Sequence, residues 1–302
     1  MGSCIEAVAT SCERGRVRGR GALHVTDVAA TACLRRAGRR PSELDLLINA
    51  GLYKDANTAE PALATIIQED LGANPAPRHA HGHGTFAFDV LNGGCGVLTA
   101  AQLLDTFVSH GAARTGLIVA GDVDPSPRTS RNFPFSPAGA AMLLAYTPGP
   151  TGFQAFEFRT FPEHAGMFEA SVHWEPHAGW LRRGRNIVDV HEAPEFGARC
   201  VELATDVASS FLARHGLVPD DIELLITSQY PRAVATDLPS ALGIPLSCVP
   251  RVAPELARSH TAGPIAALEA ARDRLATARR TLFVTVGAGI TVGVALYVTG
   301  VP

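Results

Sequence analysis

Cys33-Leu34-Arg35-Arg36-Ala37-Gly38-Arg39-Arg40-Pro41-Ser42-Glu43-Leu44-Asp45-Leu46-Leu47-Ile48 recurs without gaps as Phe211-Leu212-Ala213-Arg214-His215-Gly216-Leu217-Val218-Pro219-Asp220-Asp221-Ile222-Glu223-Leu224-Leu225-Ile226. The offset is constant (219 − 41 = 178), and Leu, Arg, Gly, Pro and the Leu-Leu-Ile run coincide. Each copy reads as the end of a helix, a glycine stop, a proline turn and a buried strand. Chance similarity of two such units would not place Gly and Pro alike, so the pattern predicts a duplicated α/β half. Later elements correspond in type. The strand Thr115-Gly116-Leu117-Ile118-Val119-Ala120-Gly121 is matched by Thr281-Leu282-Phe283-Val284-Thr285-Val286-Gly287. A helix from Gly96 to about Val108 is matched by one starting near Thr261-Ala262-Gly263-Pro264. Pro148-Gly149-Pro150 is the natural boundary, giving halves 1–150 and 151–302.

Composition limits the function classes. The chain has 302 residues, 46% hydrophobic and 18% charged, as expected for a chain with one large core or two smaller ones. A net charge of −3 offers nothing for nucleic acid or an anionic membrane. No apolar run approaches the roughly 20 residues that span a bilayer. Residues 1–6 lack the basic and apolar regions of a signal peptide. The six cysteines (4, 12, 33, 95, 200, 248) form no CxxC pair, which fits reduced thiols in a cytoplasmic protein.

The chemistry concentrates in Phe86-Ala87-Phe88-Asp89-Val90-Leu91-Asn92-Gly93-Gly94-Cys95-Gly96-Val97-Leu98-Thr99-Ala100-Ala101. A short strand runs into a tight Asn-Gly-Gly turn and then a buried helix. Cys95 falls at the helix N-terminus, where free N–H groups and positive potential should lower a thiol pKa. The flanking glycines leave room for a substrate. A nucleophilic cysteine is the chemical reading, and a small buried hydrophobe is the plain one. In a pseudo-twofold pair the two matched helix N-termini lie close, making His260 the candidate partner of Cys95.

Other stretches read as follows. Ile5–Thr10 and Leu44–Ala50 are strands. Thr26 or Asp27 caps a helix that stops at Gly38, and Asn57 or Thr58 caps another with Pro61 in its first turn. The loop 13–21, with alternating arginines, suits solvent or a phosphate. His79, His81 and His83 have imidazoles at strand spacing but no neighbouring cysteine or carboxylate, so a polar loop is expected and no metal site. Gly139–Tyr146 and Phe153–Phe161 are strands. Residues 164–186 read as irregular, a pocket wall with a basic cluster at Arg182, Arg183 and Arg185. Glu192–His215 reads as one long helix.

These motifs together resemble the thiolase superfamily, in particular its β-ketoacyl-acyl-carrier-protein synthase III branch, from about Thr26 to Tyr297. Asp89–Gly96 is similar to the family's nucleophile segment, and Val286-Gly287-Ala288-Gly289-Ile290-Thr291-Val292-Gly293 to its C-terminal glycine-rich turn. The resemblance implies a five-layered α-β-α-β-α fold and a homodimer. It implies an acyl thioester on coenzyme A or on the phosphopantetheine of an acyl carrier protein, with no tightly bound cofactor. It also implies an oxyanion hole from the N–H groups of Cys95 and about Ala288. Ser228, Gln229, Gly287 and Gly289 would then border the second-substrate pocket.

Three departures shape the expected reaction. Ser228-Gln229-Tyr230-Pro231 stands where the family has His-Gln-Ala-Asn. Ser259-His260-Thr261-Ala262 stands for Gly-Asn-Thr-Ser, putting histidine at the asparagine position. The stretch between Thr10 and Thr26 is too short for the family's coenzyme A-stacking tryptophan and arginine. A single histidine beside cysteine is a nucleophile-plus-base dyad, as in family members that resemble ester-forming acyltransferases. No acidic residue that would orient it can be picked from the sequence. Ping-pong acyl transfer through Cys95 and His260 is therefore the leading expectation. The alternatives are a decarboxylating ketosynthase using His260 alone, a non-catalytic partner subunit, and an α/β cysteine hydrolase. The duplicated half and the missing G-x-C-x-G speak against the last.

Overall fold

The computed structural model describes residues 2–12, 21–57, 60–74, 84–127, 130–175 and 185–300. The arginine loop 13–20, the histidine run 75–83 and residues 176–184, with Arg182 and Arg183, lie outside them. Arg185 opens a strand, but its side chain is likewise outside the description.

The first sheet contains β1 (Gly2–Cys12), β2 (Leu46–Asn49), β3 (Phe86–Asp89), β4 (Thr115–Asp122) and β5 (Ala138–Thr147), in the order β1-β5-β4-β2-β3. The second contains β6 (Gly152–Thr160), β9 (Leu224–Thr227), β10 (Arg280–Gly287) and β11 (Thr291–Val298), in the order β6-β11-β10-β9. Both repeat one scheme. β2 pairs in parallel with β4 and β9 with β10, and antiparallel strands follow to the far edge. The repeated Leu-Leu-Ile runs are β2 and β9 themselves. Among the described residues the second sheet has no counterpart of β3, the strand that leads to Cys95.

Alternation along the strands builds the layers. Leu46, Ile48, Ile118, Ala140 and Met142 face a central layer that holds α3 (Gly96–Ser109) and α7 (Gly263–Ala270), whose other side meets Leu224, Ile226 and Phe283 of the second sheet. Leu47, Leu117, Val119 and Leu143 point the other way, against α1 (Ala22–Ala37) and α2 (Leu63–Leu71). Leu225, Leu282, Val284 and Val294 pack on α4 (Phe196–Arg214), with α5 (Arg232–Thr236) and α6 (Leu238–Ala241) beside it; α8 (Arg272–Leu275) follows α7. The result is the five-layered α-β-α-β-α arrangement.

Several local expectations are corrected. α1 begins before Thr26 and Asp27; the Asp55 carboxylate caps it, accepting from Ala22 N (2.8 Å) and Leu23 N (3.1 Å). α2 starts after Pro61 and is capped not by Asn57 but by Asp89, which accepts from Leu63 N and Ala64 N at 3.0 and 2.9 Å; Thr58, the other expected cap, lies outside the described residues. Both caps come from residues distant in sequence, so no local rule reports them. The stretch read as irregular contains a two-stranded ribbon, β7 (Phe168–Glu175) and β8 (Arg185–Glu192). It stands outside both sheets with Val172 and Trp174 exposed, so its buried alternation is faint. Glu192 ends β8 and does not start α4.

Asp89 is also held by Lys54, the only lysine of the chain, at 2.5 Å, both side chains nearly buried. Burial alone would raise the Asp89 pKa, but Lys54 and the two helix N–H groups hold it below the usual carboxylate range. Because the folded-state pKa is depressed, the stabilisation is complete above the ordinary carboxylate pKa and is lost as pH falls through the depressed value. Lys54→Met should cost about 3 kcal/mol in urea unfolding at neutral pH and bring acid unfolding to a higher pH. An unchanged midpoint would show that the N–H groups suffice.

Candidate active site

Cys95 closes a short 3-10 turn, Gly93–Cys95, and serves as N-cap of α3. Asn92 Nδ2 donates to Thr99 Oγ1 (3.0 Å), and Thr99 Oγ1 donates to Cys95 O (3.0 Å), pinning the turn to the helix. The thiol is fully buried and donates to the carbonyl of Thr291 at 3.3 Å. The expected depression of its pKa is not found. Burial pushes the thiol up to about 12, although the Thr285 hydroxyl and the Gly293 backbone favour its ionised form. A helix N-terminus does not offset the loss of water around a fully enclosed sulfur when no cation stands beside it. Cys95 therefore rests as a neutral thiol.

The glycine-rich turn lies directly over this cysteine. Gly94 packs so closely on the second half that a Cβ there would stand 2.2 Å from Val286 O. A Cβ on Gly287 would be 3.3 Å from Asn92 O and 3.7 Å from Cys95 N. Gly289 supplies the left-handed residue of the turn at φ +72°, and Ala288 is exposed beside it. Of the two expected oxyanion donors, the Cys95 N–H is already engaged, donating to Asn92 O at 3.0 Å. The Ala288 N–H donates to no acceptor among the described residues. The 3-10 turn that places Cys95 also consumes its amide.

His260 sits just before α7, buried at 7% exposure. Its ring stacks on Phe135 (centroids 4.3 Å apart) and tilts against Tyr53 at 5.5 Å. Nδ1 lies 3.4 Å from Asp122 Oδ2. The geometry falls short of a formal hydrogen bond, and Nδ1 has no other partner among the described residues. Asp122 is 1% exposed at the end of β4. Its Oδ1 accepts from Leu52 N and Tyr53 N at 2.9 and 2.7 Å, and its Oδ2 from Thr261 N and Oγ1 at 2.9 and 2.5 Å. Burial alone would raise its pKa, but His260, Thr261 and Tyr53 hold it below the usual carboxylate range. Asp122 is thus the acidic partner that could not be picked from the sequence. The signal was present in Gly121-Asp122, a carboxylate ending an otherwise apolar strand, but nothing local says which histidine it meets.

No hydrogen bond joins the Cys95 thiol to the His260 ring. Gly96, which follows Cys95, and His260 both abut one short segment. A Cβ on Gly96 would meet Ala50 at 3.2 Å, while Tyr53, three residues further on, packs on His260. Three residues of chain reach at most about 11 Å.

The expected second-substrate residues have other work. Ser228 is buried, and its hydroxyl accepts from Val286 N at 3.0 Å, bracing the strand that carries the glycine turn. Gln229 is buried, donates to Thr227 O at 3.2 Å, and lies where a Cβ on Gly263 would be 2.9 Å from its backbone N. Ser228, Gln229, Gly287 and Gly289 do not line the cavity of about 230 Å³ found nearby; its walls are Asn132, Pro134, Val190, His191, Glu192 and Tyr230. Ser228 turns toward β10, and of this stretch it is Tyr230 that reaches the cavity wall. Among the described residues no group of three or more His, Cys, Asp or Glu could hold a metal.

Comparisons with known proteins agree with this architecture. Residues 212–299 match the family described as 3-oxoacyl-[acyl-carrier-protein (ACP)] synthase III C terminal. The β-ketoacyl-[acyl-carrier-protein] synthase III of Aquifex aeolicus (strain VF5) is 26% identical over 223 residues, covering 72% of this chain and 64% of that protein. The enzyme of the same name from Rhizobium meliloti (strain 1021) is 28% identical over 234 residues, covering 74% and 67%. These matches span about two thirds of the relatives' own length. The crystal structure of 3-oxoacyl-[acyl-carrier-protein] synthase III from Aquifex aeolicus VF5 superposes with a TM-score of 0.79 at 19% identity, over 99% of this chain and 100% of that one. The chain is a thiolase-fold protein similar to β-ketoacyl-acyl-carrier-protein synthase III.

With the thiol raised to about 12, alkylation of Cys95 by iodoacetamide should be slow at pH 7 and rise about tenfold per pH unit through pH 10. Peptide mass spectrometry resolves Cys95 from the partly exposed Cys4, Cys12 and Cys248. A rate that levels off near pH 7 would mean that the thiolate already exists in the free protein.

Proposed function

We propose that this chain is an acyl-transferring enzyme that forms an acyl-Cys95 thioester and passes the acyl group to an acceptor. The observation that carries the reading is the buried Asp122–His260 pair, one residue from each half, together with a cysteine that is roofed by a glycine turn. An acyl thioester on coenzyme A or a carrier protein is the donor; the relatives' names refer to an acyl carrier protein.

The chemistry follows from the groups present. The Cys95 sulfur attacks the donor carbonyl, the new S–C bond replaces the donor's S–C bond, and the departing thiolate takes up the proton released by Cys95. The free Ala288 N–H supports the negative oxygen of the tetrahedral intermediate. Cys95 N–H can join it only by giving up Asn92 O. In the second half-reaction His260 removes the acceptor's proton as the acceptor attacks the acyl carbon, and Cys95 leaves as a thiolate that regains this proton to restore the resting thiol and neutral imidazole. Asp122 stabilises the imidazolium that results and fixes the ring. A neutral resting thiol suits this order, because a free thiolate would be consumed by adventitious electrophiles.

The relatives' names favour a second reading, decarboxylating condensation, in which a malonyl thioester is the second substrate. Release of carbon dioxide from malonyl-thioester by the acylated protein would select it over transfer to a hydroxyl, amine or thiol.

A homodimer is part of the proposal. β3 is an edge strand, and it exposes Phe86 (57%), whose ring lies 5.1 Å from that of Phe88, with Leu91 (55% exposed) just beyond. A short apolar edge of this kind is suited to a second copy.

Intact-protein mass spectrometry with a panel of acyl thioesters should show a single acyl adduct that Cys95→Ala abolishes. Asp122→Asn should still be acylated but transfer the acyl group about 10² to 10⁴ times more slowly. An adduct persisting in Cys95→Ala would overturn the assignment. Phe86→Glu should halve the mass measured by light scattering, and a monomeric wild type would remove the dimer.

A further inference from the structure

The cavity walled by Asn132, Pro134, Val190, His191, Glu192 and Tyr230 has no part in the steps above. It is built where residues 131–134 are zipped onto β8: Arg131 N donates to Val188 O at 2.8 Å and Val190 N to Arg131 O at 3.1 Å. It lies close to the chemistry. Tyr230 meets Phe135 edge-on with centroids 4.8 Å apart, and Phe135 carries His260 on its face.

The walls define what can occupy it. Val190 is the only buried apolar side chain, and four of the six side chains are polar or charged, so an acyl tail would leave polar groups unpaired. The Glu192 carboxylate opposes a phosphate or a carboxylate. That carboxylate accepts from the Tyr230 hydroxyl, yet among the described residues no Arg, Lys or His forms an ion pair with it. Arg258, whose charge reaches the Tyr230 phenol, makes none either. A carboxylate that no cation pairs with directly among the described residues, beside an aromatic ring, is a site for an ammonium group, through a charge-assisted hydrogen bond and the ring face.

We propose that this cavity binds a protonated amine on the acceptor, with Glu192 as the specificity-determining residue. Calling the occupant an acceptor rests on the acyl-transfer reading; the cation preference does not. A small amino alcohol is the simplest such molecule, its ammonium held at Glu192 and its hydroxyl left free for acylation.

The test uses 4-aminobutan-1-ol, 1-pentanol and 5-hydroxypentanoate, which share one hydroxyalkyl chain and differ at the end in charge. Ligand-observed NMR titrations near neutral pH should show the amino alcohol binding wild type about tenfold more tightly than pentanol, and hydroxypentanoate most weakly. Glu192→Gln, at an exposed position, should remove that preference, while Tyr230→Phe, which keeps the carboxylate, should retain it. Equal affinities in wild type, tighter binding of the carboxylate, or a preference that survives Glu192→Gln would each overturn the proposal. The wild-type comparison decides even if a variant is unstable. Binding needs no acyl-Cys95, so a failure to acylate Cys95 and a failure to prefer the cation are separate results.

Discussion

A single carboxylate joins the two halves where the chemistry is expected. Asp122 ends a strand of the first sheet, yet it collects Leu52 and Tyr53 from its own half and both Thr261 donors from the other, and lies against the His260 ring. Buried with less compensation, such a group would be protonated. With four donors and an imidazole around it, it keeps its charge low in the titration range and ties Leu52 and Tyr53 of the first half to Thr261 of the second. The position of His260 is set by this carboxylate below and by the Phe135 and Tyr53 rings at its faces.

The second constraint is steric. Gly94 and Gly287 let two backbones approach to distances that no side chain tolerates, which brings the turn from the second half over Cys95 of the first. The same closeness seals the sulfur from water and raises its pKa. Enclosure and reactivity therefore pull against each other. The helix terminus alone therefore does not ionise this thiol.

The repeat, the strand-turn-helix around Cys95, the matching helix after His260 and the glycine-rich turn were all legible in residue order. Each rests on local physics: apolar spacing, glycine where φ is positive, proline where a turn must stop a helix. The five-layered arrangement was implied by the resemblance to the thiolase superfamily, and the duplication accords with it, since matching helices of the two halves bury against each other.

What the tertiary structure alone decided depends on residues far apart in the chain. Asp55 and Asp89 cap helices they do not adjoin, so their role has no local signature. Asp122 and His260 are 138 positions apart (260 − 122 = 138), and their meeting requires the halves to be docked. The Cys95 amide and thiol were misread for the same reason. An N-terminal cysteine predicts free N–H groups and a low pKa only if water or ligand remains around it, and here the other half of the protein takes that place.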